Sequence, residues 1–251
     1  MREEEFQHLY ELEERFWWFV GMRDITAALL GPAGLDRAAR ALDVGCGTGY
    51  MLRWLERAAG GMPVVGLEFS AAGLAFCRER GHPRLVRASA AGLPFRSASF
   101  DLVTSFEVLD ELRDDRPAFD ELARVLRPGG RLLIRLPALE WLRSSHDVAI
   151  ETQRRTTTGE LAAKLEARGL AVERATYANT LLLPLIAAVR LGRRLLPGDG
   201  ERGSDVRPLP AGLRWLEGFF LACLRAEARY LGRPGARLPI GVSALCLARK
   251  G

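Results

Sequence analysis

Short apolar runs alternate with stretches of helical periodicity through most of the chain. The runs with the composition of β-strands lie at 41–44, 63–69, 85–88, 100–106, 131–136, 171–177 and 241–248. The stretches whose apolar residues recur at helical spacing lie at 50–59, 71–80, 116–126 and 159–167. This alternation is typical of βαβ units, in which helices cover both faces of a parallel sheet. The pattern therefore predicts an α/β fold.

The N-terminal region is expected to be a single helix. Apolar side chains recur at helical spacing over residues 1–30, and the pair Gly31-Pro32 ends the pattern. We assign residues 1–36 to an N-terminal helical cap and residues 37–179 to the core.

The region before the last strand breaks the alternation. It holds two apolar segments, 181–196 and 213–230, separated by a polar linker rich in Gly and Pro at 197–210. We therefore assign residues 180–238 to a helical insertion or lid and residues 239–251 to a final strand of the core.

Composition excludes several classes of protein. Of the 251 residues, 48% are hydrophobic and 27% are charged, which is ordinary for a globular chain and excludes disorder, collagen and coiled coil. The net charge is +5, but the chain has no run of five basic residues, so we expect no nucleic-acid partner.

The four cysteines form no CxxC or Cys/His cluster, so we expect no metal site and a reduced, cytoplasmic chain. The acidic N-terminus does not resemble a secretory signal, and no apolar run spans a bilayer.

The strongest motif follows the first predicted strand. Gly45, Gly47 and Gly49 stand at alternate positions and lead into a predicted helix. Glycine allows a sharp turn and close approach of a ligand to the backbone, and such crevices at the carboxyl ends of strands bind ligands in α/β sheets. Glu68 ends the second strand, where a carboxylate can accept hydrogen bonds from a ribose diol. The alternative is a tight turn without a ligand. The GxGxG spacing also differs from the GxGxxG of dinucleotide-binding folds.

Over residues 40–178 the chain resembles the class I S-adenosylmethionine-dependent methyltransferases of type 11. Motifs in the family's order lie at 42–49, 64–70, 88–95, 99–103, 107–109 and 125–134. The resemblance implies a Rossmann-like three-layer sandwich with a mostly parallel seven-stranded sheet whose last strand is antiparallel. The segments 14–23 and 136–147 are similar to a bacterial subgroup with a "WWF…R" N-terminal helix.

The resemblance also implies roles at the adenosine end of S-adenosylmethionine. Glu68 would bind the ribose hydroxyls, Phe69 would flank the adenine, and Ser89 with Ala90 would meet the adenine edge. Ser89 departs from the family, which usually has an acid there, so the contact with the adenine amino group would be neutral and weaker.

At the methionine end, the resemblance implies that Asp43 orients the methionine moiety and that the Phe106 carbonyl lies near its ammonium. Trp18 and Arg23 would close the site, with Arg23 pairing the carboxylate. The alternative for Arg23 is a surface position. The backbone contacts would come from Gly45, Cys46, Gly47 and Gly49.

Methyl transfer from a sulfonium to an acceptor is an in-line displacement that needs no covalent intermediate, although a hydroxyl acceptor benefits from a general base. The candidate bases are His146, Asp147, Asp110 and Glu111. The alternatives are a backbone-bonded loop histidine at 146 and a solvated helix start at 110 and 111. A histidine common in the family after the fourth strand is absent, and the loop at 151–156 differs from the subgroup.

The segment 181–189 is too apolar for a solvated loop, and the arginines Arg190, Arg193 and Arg194 follow it. It suits a lid over a hydrophobic acceptor or a helix at a membrane interface, and the alternatives are packing on the sheet or a homodimer interface.

We therefore expect a methyltransferase that acts on a small hydrophobic, lipid-like or natural-product acceptor and yields S-adenosylhomocysteine. Peripheral contact with the inner membrane face is consistent with this segment. The competing hypotheses are a non-catalytic cofactor-binding module and a nicotinamide-dependent oxidoreductase.

Overall fold

The computed structural model describes residues 3–36, 40–58, 60–144, 147, 151–194 and 209–251. The strands are β1 Ala41–Val44, β2 Val64–Glu68, β3 Leu85–Arg87, β4 Phe100–Phe106, β5 Leu126–Pro137, β6 Leu170–Ala178 and β7 Ser243–Lys250. The helices are α1 Glu3–Leu12, α2 Trp17–Asp36, α3 Tyr50–Ala58, α4 Ala71–Glu79, α5 Arg116–Val125, α6 Thr158–Glu166, α7 Leu183–Arg194 and α8 Trp215–Leu231. Short 3₁₀ turns lie at Leu109–Glu111, Glu140–Leu142 and Ala211–Leu213.

The strands form one seven-stranded sheet in the order β3-β2-β1-β4-β5-β7-β6. Along the sheet, β3, β2, β1, β4 and β5 all run parallel to one another. The strand β7 is antiparallel to both of its neighbours, β5 and β6. This confirms the predicted fold class. The chain order reverses between β1 and β4, and α/β sheets bind ligands in the crevice at such a switch point.

Helices cover both faces of the sheet. On one face the buried side chains come mainly from α5 and α6, including Phe119, Leu122 and Leu161. On the other face they come from α2, α3 and α8, including Met22, Leu52 and Leu224. The apolar face of α8 therefore belongs to the same packed layer as α2 and α3.

The structure corrects the prediction of one N-terminal helix. α1 ends at Leu12 and α2 begins at Trp17, because the Glu13 side chain turns inward to Thr48 and Arg80 and Phe16 is buried. At the predicted stop, Gly31 has a φ of 64°, outside the helical range, but the structure shows a kink there and α2 continues to Asp36.

Two further boundaries differ from the sequence-based expectations. The turn expected at 127–130 lies within β5, and the pairing of β4 with β5 shifts register between Phe100 and Leu102. The expected linker at 197–210 falls almost entirely outside the described residues. None of the described helices combines the length and apolar character that crossing a bilayer requires.

Candidate functional site

The glycine-rich loop joins β1 to α3 at the switch point of the sheet. Gly45, Gly47 and Gly49 have φ values of 77°, 56° and 88°, a region that other residues rarely adopt. A Cβ added to Gly45 would lie 2.1 Å from the Val108 side chain, and one added to Gly49 would lie 2.9 Å from the Cys77 Sγ. Packing therefore requires glycine at 45 and 49. At Gly47 the nearest atom to an added Cβ is the Leu9 side chain at 3.4 Å.

The Glu68 carboxylate lies directly beside this loop. Its Oε2 accepts a hydrogen bond from the Gly47 N–H at 3.0 Å, and its Oε1 accepts one from the Ser70 N–H at 2.8 Å. The two features that the sequence singled out independently are therefore adjacent. A ligand that lies across the loop meets the carboxylate at the end of β2.

A cavity of about 1470 Å³ opens over the carboxyl ends of the strands. The predicted site residues that line it are Trp18, Arg23, Asp43, Gly45, Cys46, Gly47, Glu68, Phe69, Ser89, Ala90, Phe106, Glu111 and Asp147. Gly49 and Asp110 are not among the lining residues, and His146 lies outside the described residues. At Gly49 the Cβ direction points to Cys77, so this glycine serves packing behind the loop.

Asp43 is buried beneath the cavity at the end of β1. Its Oδ1 accepts a hydrogen bond from the Thr104 hydroxyl at 2.7 Å. Burial raises the pKa of Asp43 to about 6, although Thr104 and the positive charge of Arg135 act in the opposite direction.

Cys46 packs behind the loop with its Sγ 3.8 Å from the Cys77 Sγ. The hydrogen bond with Cys77 and burial raise the pKa of the Cys46 thiol well above its ordinary value. A neutral thiol is a weak nucleophile, so Cys46 fills space in the turn.

Arg23 is held by the backbone of the turn between α1 and α2. Its Nη1 donates to the Glu13 carbonyl at 2.6 Å and its Nη2 to the Glu14 carbonyl at 3.0 Å, while the guanidinium lies 4.4 Å from the centre of the Tyr50 ring. The sequence-based role for Arg23 was to pair the cofactor carboxylate. These two bonds use two of the five N–H donors of the guanidinium, so pairing with a cofactor carboxylate stays a prediction.

Asp147 is buried in a two-pronged ion pair. The Arg155 Nε donates to Oδ1 at 2.9 Å and the Arg155 Nη2 donates to Oδ2 at 3.0 Å. Burial acts to raise the pKa of Asp147, but the hydrogen bonds and charge of Arg155 outweigh it and hold the pKa below its ordinary value. A carboxylate bound in this way is a poor proton acceptor.

Asp110, like Asp147, is bound by neighbouring groups of the protein. Its Oδ2 accepts from the Thr152 hydroxyl at 2.9 Å, and its carbonyl accepts from the Gln153 N–H at 2.8 Å. Because Asp110 lies outside the cavity lining, the structure does not support the expectation that it acts as a base, and it fastens the loop at 151–155 instead.

Glu111 lines the cavity as Asp147 does, but its side chain is half-buried. Burial raises the pKa of Glu111 to about 7, with the negative charges of Glu68 and Glu151 adding to the shift. A carboxyl group with a pKa near neutrality can both accept and release a proton under ordinary conditions.

The sequence reasoning missed an ion pair on the cavity floor. The Arg135 Nε donates to the Glu107 Oε1 at 2.9 Å, and both residues line the cavity. The Arg135 guanidinium carbon lies 5.1 Å from the Trp18 ring centre and 4.8 Å from the Phe106 ring centre. Glu107 has a φ of 55°, which is strained for a residue with a side chain. The available signal was one arginine within the apolar run of β5.

It also missed how α1 is fastened over the glycine-rich loop. The Glu13 carboxylate accepts hydrogen bonds from the Thr48 hydroxyl and from the Arg80 Nη2, and the Arg80 Nε donates to the Thr48 carbonyl at 3.0 Å. Burial raises the pKa of Glu13 to about 7, although Thr48 and Arg80 act to lower it. α1 therefore forms a cover over the loop, with Leu9 facing Gly47.

The other half of the cavity is apolar. Its wall combines aromatic side chains and one methionine of α2 with aliphatic and aromatic side chains of α7 and α8. These include Trp17, Phe19, Met22, Leu185, Ile186, Val189, Leu216 and Phe220. We call this set the apolar wall. It faces the glycine-rich loop across the same continuous space.

Comparison with known proteins relates this site to a family. The model of a methyltransferase domain matches residues 42–134. A demethylmenaquinone methyltransferase of Mycobacterium sp. (strain KMS) is 38% identical over 49% of this chain and 48% of its own length. A 2-phytyl-1,4-naphtoquinone methyltransferase of Thermosynechococcus vestitus is 39% identical over 40% of this chain and 47% of its own length. The chain thus spans about half the length of these curated relatives.

A solved structure shows the same fold over most of the chain. Geranyl diphosphate C-methyltransferase from Streptomyces coelicolor A3(2) superposes with a TM-score of 0.57 over 89% of this chain and 74% of its own, at 19% identity. The matched segment contains the glycine-rich loop, Glu68 and β4, and the seven-stranded sheet with antiparallel β7 surrounds it. Residues 42–134 are therefore similar to a methyltransferase domain, and the sheet that contains them has the fold of a solved methyltransferase.

Proposed function

We propose that the chain transfers a methyl group from S-adenosylmethionine to a small apolar acceptor. The observation that carries this proposal is the single continuous cavity that joins the glycine-rich loop and Glu68 to the apolar wall. Pockets for one small ligand measure about 300–1,000 Å³. At about 1470 Å³ the cavity has room for a nucleoside cofactor and a second molecule.

In this proposal the adenosine end lies between β2 and the segment after β3. The Glu68 carboxylate accepts hydrogen bonds from the ribose hydroxyls, the exposed ring of Phe69 covers the adenine, and Ser89 with Ala90 meets its edge. Gly45 and Gly47 let the backbone approach the cofactor, and Asp43 with the Phe106 carbonyl orients the methionine end. The support is that all of these residues line the same cavity.

The chemistry is a direct displacement. An electron pair on the acceptor forms a bond to the methyl carbon while the carbon–sulfur pair stays on sulfur, which leaves S-adenosylhomocysteine. Alignment of the two reactants can supply about 7–11 kcal/mol of the barrier reduction. α1, α2 and α7 surround the reacting atoms and exclude water, which strengthens the electrostatic interactions there.

Glu111 is the candidate base that the geometry favours for an acceptor that loses a proton. It lines the cavity and has a pKa of about 7, whereas Arg155 lowers the pKa of Asp147 and Asp110 lies outside the cavity lining. Such a base contributes roughly 10²–10⁴-fold to the rate.

The apolar character of the acceptor is supported by the apolar wall and by the acceptors in the names of the relatives, a demethylated menaquinone and a phytylated naphthoquinone. Two other functions are distinguishable by experiment. A nicotinamide oxidoreductase would bind NADH, and a non-catalytic module would bind the cofactor without transferring its methyl group.

The test pairs two glycines with similar backbone conformations. Gly47, at φ 56°, faces the cavity, while Gly60, at φ 65°, faces open space. We expect Gly47→Val to abolish binding of S-adenosylhomocysteine measured by calorimetry, because the new side chain enters the cofactor volume, and Gly60→Val to retain it. Binding of NADH in place of S-adenosylhomocysteine would contradict the proposal. So would the absence of methyl transfer from labelled cofactor to apolar extracts.

A further inference from the structure

Arg135 is a buried, positively charged side chain with hydrogen-bond donors that no described residue uses. Its side chain is 7% exposed, yet it lines the cavity. Its Nε is bound by Glu107, but neither Nη1 nor Nη2 has a hydrogen-bond acceptor in the part of the chain that the structure describes. A guanidinium carries five donor hydrogens, and the terminal nitrogens of Arg135 are not among the described buried atoms that lack a partner, so their donors are open to the cavity. The site is therefore built for a ligand that supplies oxygen acceptors.

The surroundings of Arg135 restrict how that ligand approaches. The Trp18 and Phe106 rings lie within 5.1 Å and 4.8 Å of the guanidinium carbon, and Glu107 occupies Nε. The terminal edge of the guanidinium remains for the cavity. Two parallel N–H groups at such an edge match the two oxygens of a carboxylate, or one oxygen that accepts two bonds.

The order of the strands places Arg135 away from the adenosine end. Glu68 lies on β2 and Arg135 lies on β5, with β1 and β4 between them. Neighbouring strands are about 4.8 Å apart, so three steps across the sheet separate β2 from β5 by about 14 Å. Arg135 lies beside Trp18 and Phe106, and its charge acts on Asp43. Arg135 is therefore away from the ribose site, in the part of the cavity where the proposed methionine end meets the acceptor.

We propose that the acceptor is an apolar molecule with an anionic oxygen group, a carboxylate or an enolate, and that Arg135 binds that group through Nη1 and Nη2. The inference rests on the proposed methyltransferase function and adds the acceptor's charged end to it. Arg135 is then the residue that selects anionic over neutral acceptors, while the apolar wall accepts the hydrocarbon part.

The test compares two nearly isosteric probes, 2-naphthoate and 2-naphthamide, on the protein saturated with S-adenosylhomocysteine. We expect 2-naphthoate to bind more tightly to the wild type. Arg135→Met should weaken its binding about 10- to 100-fold, the usual effect of losing hydrogen bonds to a charged group. Binding of 2-naphthamide should change little. Arg113→Met is the matched control, because Arg113 is an exposed arginine on the cavity rim and its removal should leave the preference intact.

A second variant distinguishes a loss of ligand binding from a folding defect. Arg135→Met leaves the half-buried Glu107 without its partner, so the double variant Glu107→Gln, Arg135→Met is measured in parallel. Thermal melting and binding of S-adenosylhomocysteine are the measures of folding. Loss of the preference for naphthoate in both variants, with cofactor binding retained, supports the proposal.

Each other outcome has its own meaning. Equal affinity of the wild type for the two probes, or no binding of naphthoate in the millimolar range, overturns the role of Arg135. Weakened cofactor binding with an unchanged naphthoate preference overturns it too, since Arg135 would then hold the methionine carboxylate. Failure of the wild type to bind S-adenosylhomocysteine contradicts the methyltransferase function itself.

Discussion

Three carboxyl groups around the site are buried enough to hold protons near neutral pH. Burial raises the pKa of Asp43 to about 6 and those of Glu13 and Glu111 to about 7. A carboxyl group whose pKa is higher in the folded chain than in the unfolded chain binds its proton more tightly when folded. The stabilisation from these protons is complete below the unfolded pKa values of about 4 and is lost as the pH rises to about 7.

This linkage predicts an effect of Glu13→Gln. The free energy of unfolding of the wild type should fall as the pH rises from about 4.5 to 7, and Glu13 should account for at most about 3 kcal/mol of that fall. The Gln variant cannot ionise, so its stability should fall less over the same interval. Urea denaturation at a series of pH values measures the difference.

The exposed Glu11 on the same helix provides the control. Glu11→Gln should follow the wild-type curve. If Glu13→Gln also follows the wild-type curve, the buried position of Glu13 does not govern the titration.

Single residues also show what the sequence could and could not reveal. Glu68 and the glycines were predictable, because strand ends and glycine spacing are local features of the chain. The positions of Glu13 and Arg135 were not, since each depends on partners that are distant in sequence, Thr48 with Arg80 for one and Trp18 for the other.

At the scale of elements, α7 presents apolar side chains on two sides. Leu185 is 48% exposed and lines the cavity, whereas Leu191 is 42% exposed and is not among the lining residues. Substituting each leucine in turn by aspartate therefore distinguishes a contribution of α7 to acceptor binding from the general effect of adding a charge to the helix.

We expect Leu185→Asp to weaken binding of 2-naphthamide roughly 10-fold, because a carboxylate in the apolar wall is unfavourable beside a hydrocarbon ligand. Binding of S-adenosylhomocysteine should be retained. Leu191→Asp should leave both affinities near the wild-type values in fluorescence titrations. Equal losses in the two variants would mean that α7 does not contact the acceptor.

α8 has a different role from α7, although the sequence grouped them in one insertion. Leu224 of α8 is fully buried, and a Cβ added to Gly21 of α2 would lie 2.4 Å from it. The two helices thus approach closely where α2 has no side chain.

We expect Leu224→Ala to lower the free energy of unfolding by about 2–5 kcal/mol, as for other leucines removed from packed cores. Phe219→Ala removes a larger side chain, but one that is 57% exposed, and should cost less than about 1 kcal/mol. Chemical denaturation compares the two. A small effect at Leu224 would mean that α8 can leave the sheet independently.

For the whole molecule, the alternation of apolar runs and helical stretches was sufficient to predict the α/β class. The limits of that reasoning lie where packing overrides periodicity. The spacing of apolar residues continues from α1 into α2, but burial of Phe16 and the inward turn of Glu13 break the helix. The union of the glycine-rich loop and the apolar wall in one cavity depends on contacts between elements distant in sequence, so no local pattern predicts it.

The place of β7 between β5 and β6 has a consequence for how the protein is made. β6 leaves the ribosome before its neighbour in the sheet exists, and β5 keeps an open edge for the same interval. A nascent chain that has not yet reached Ser243 therefore displays two unpaired strand edges, which other chains or chaperones can bind. Synthesis of β7 closes both edges in one event.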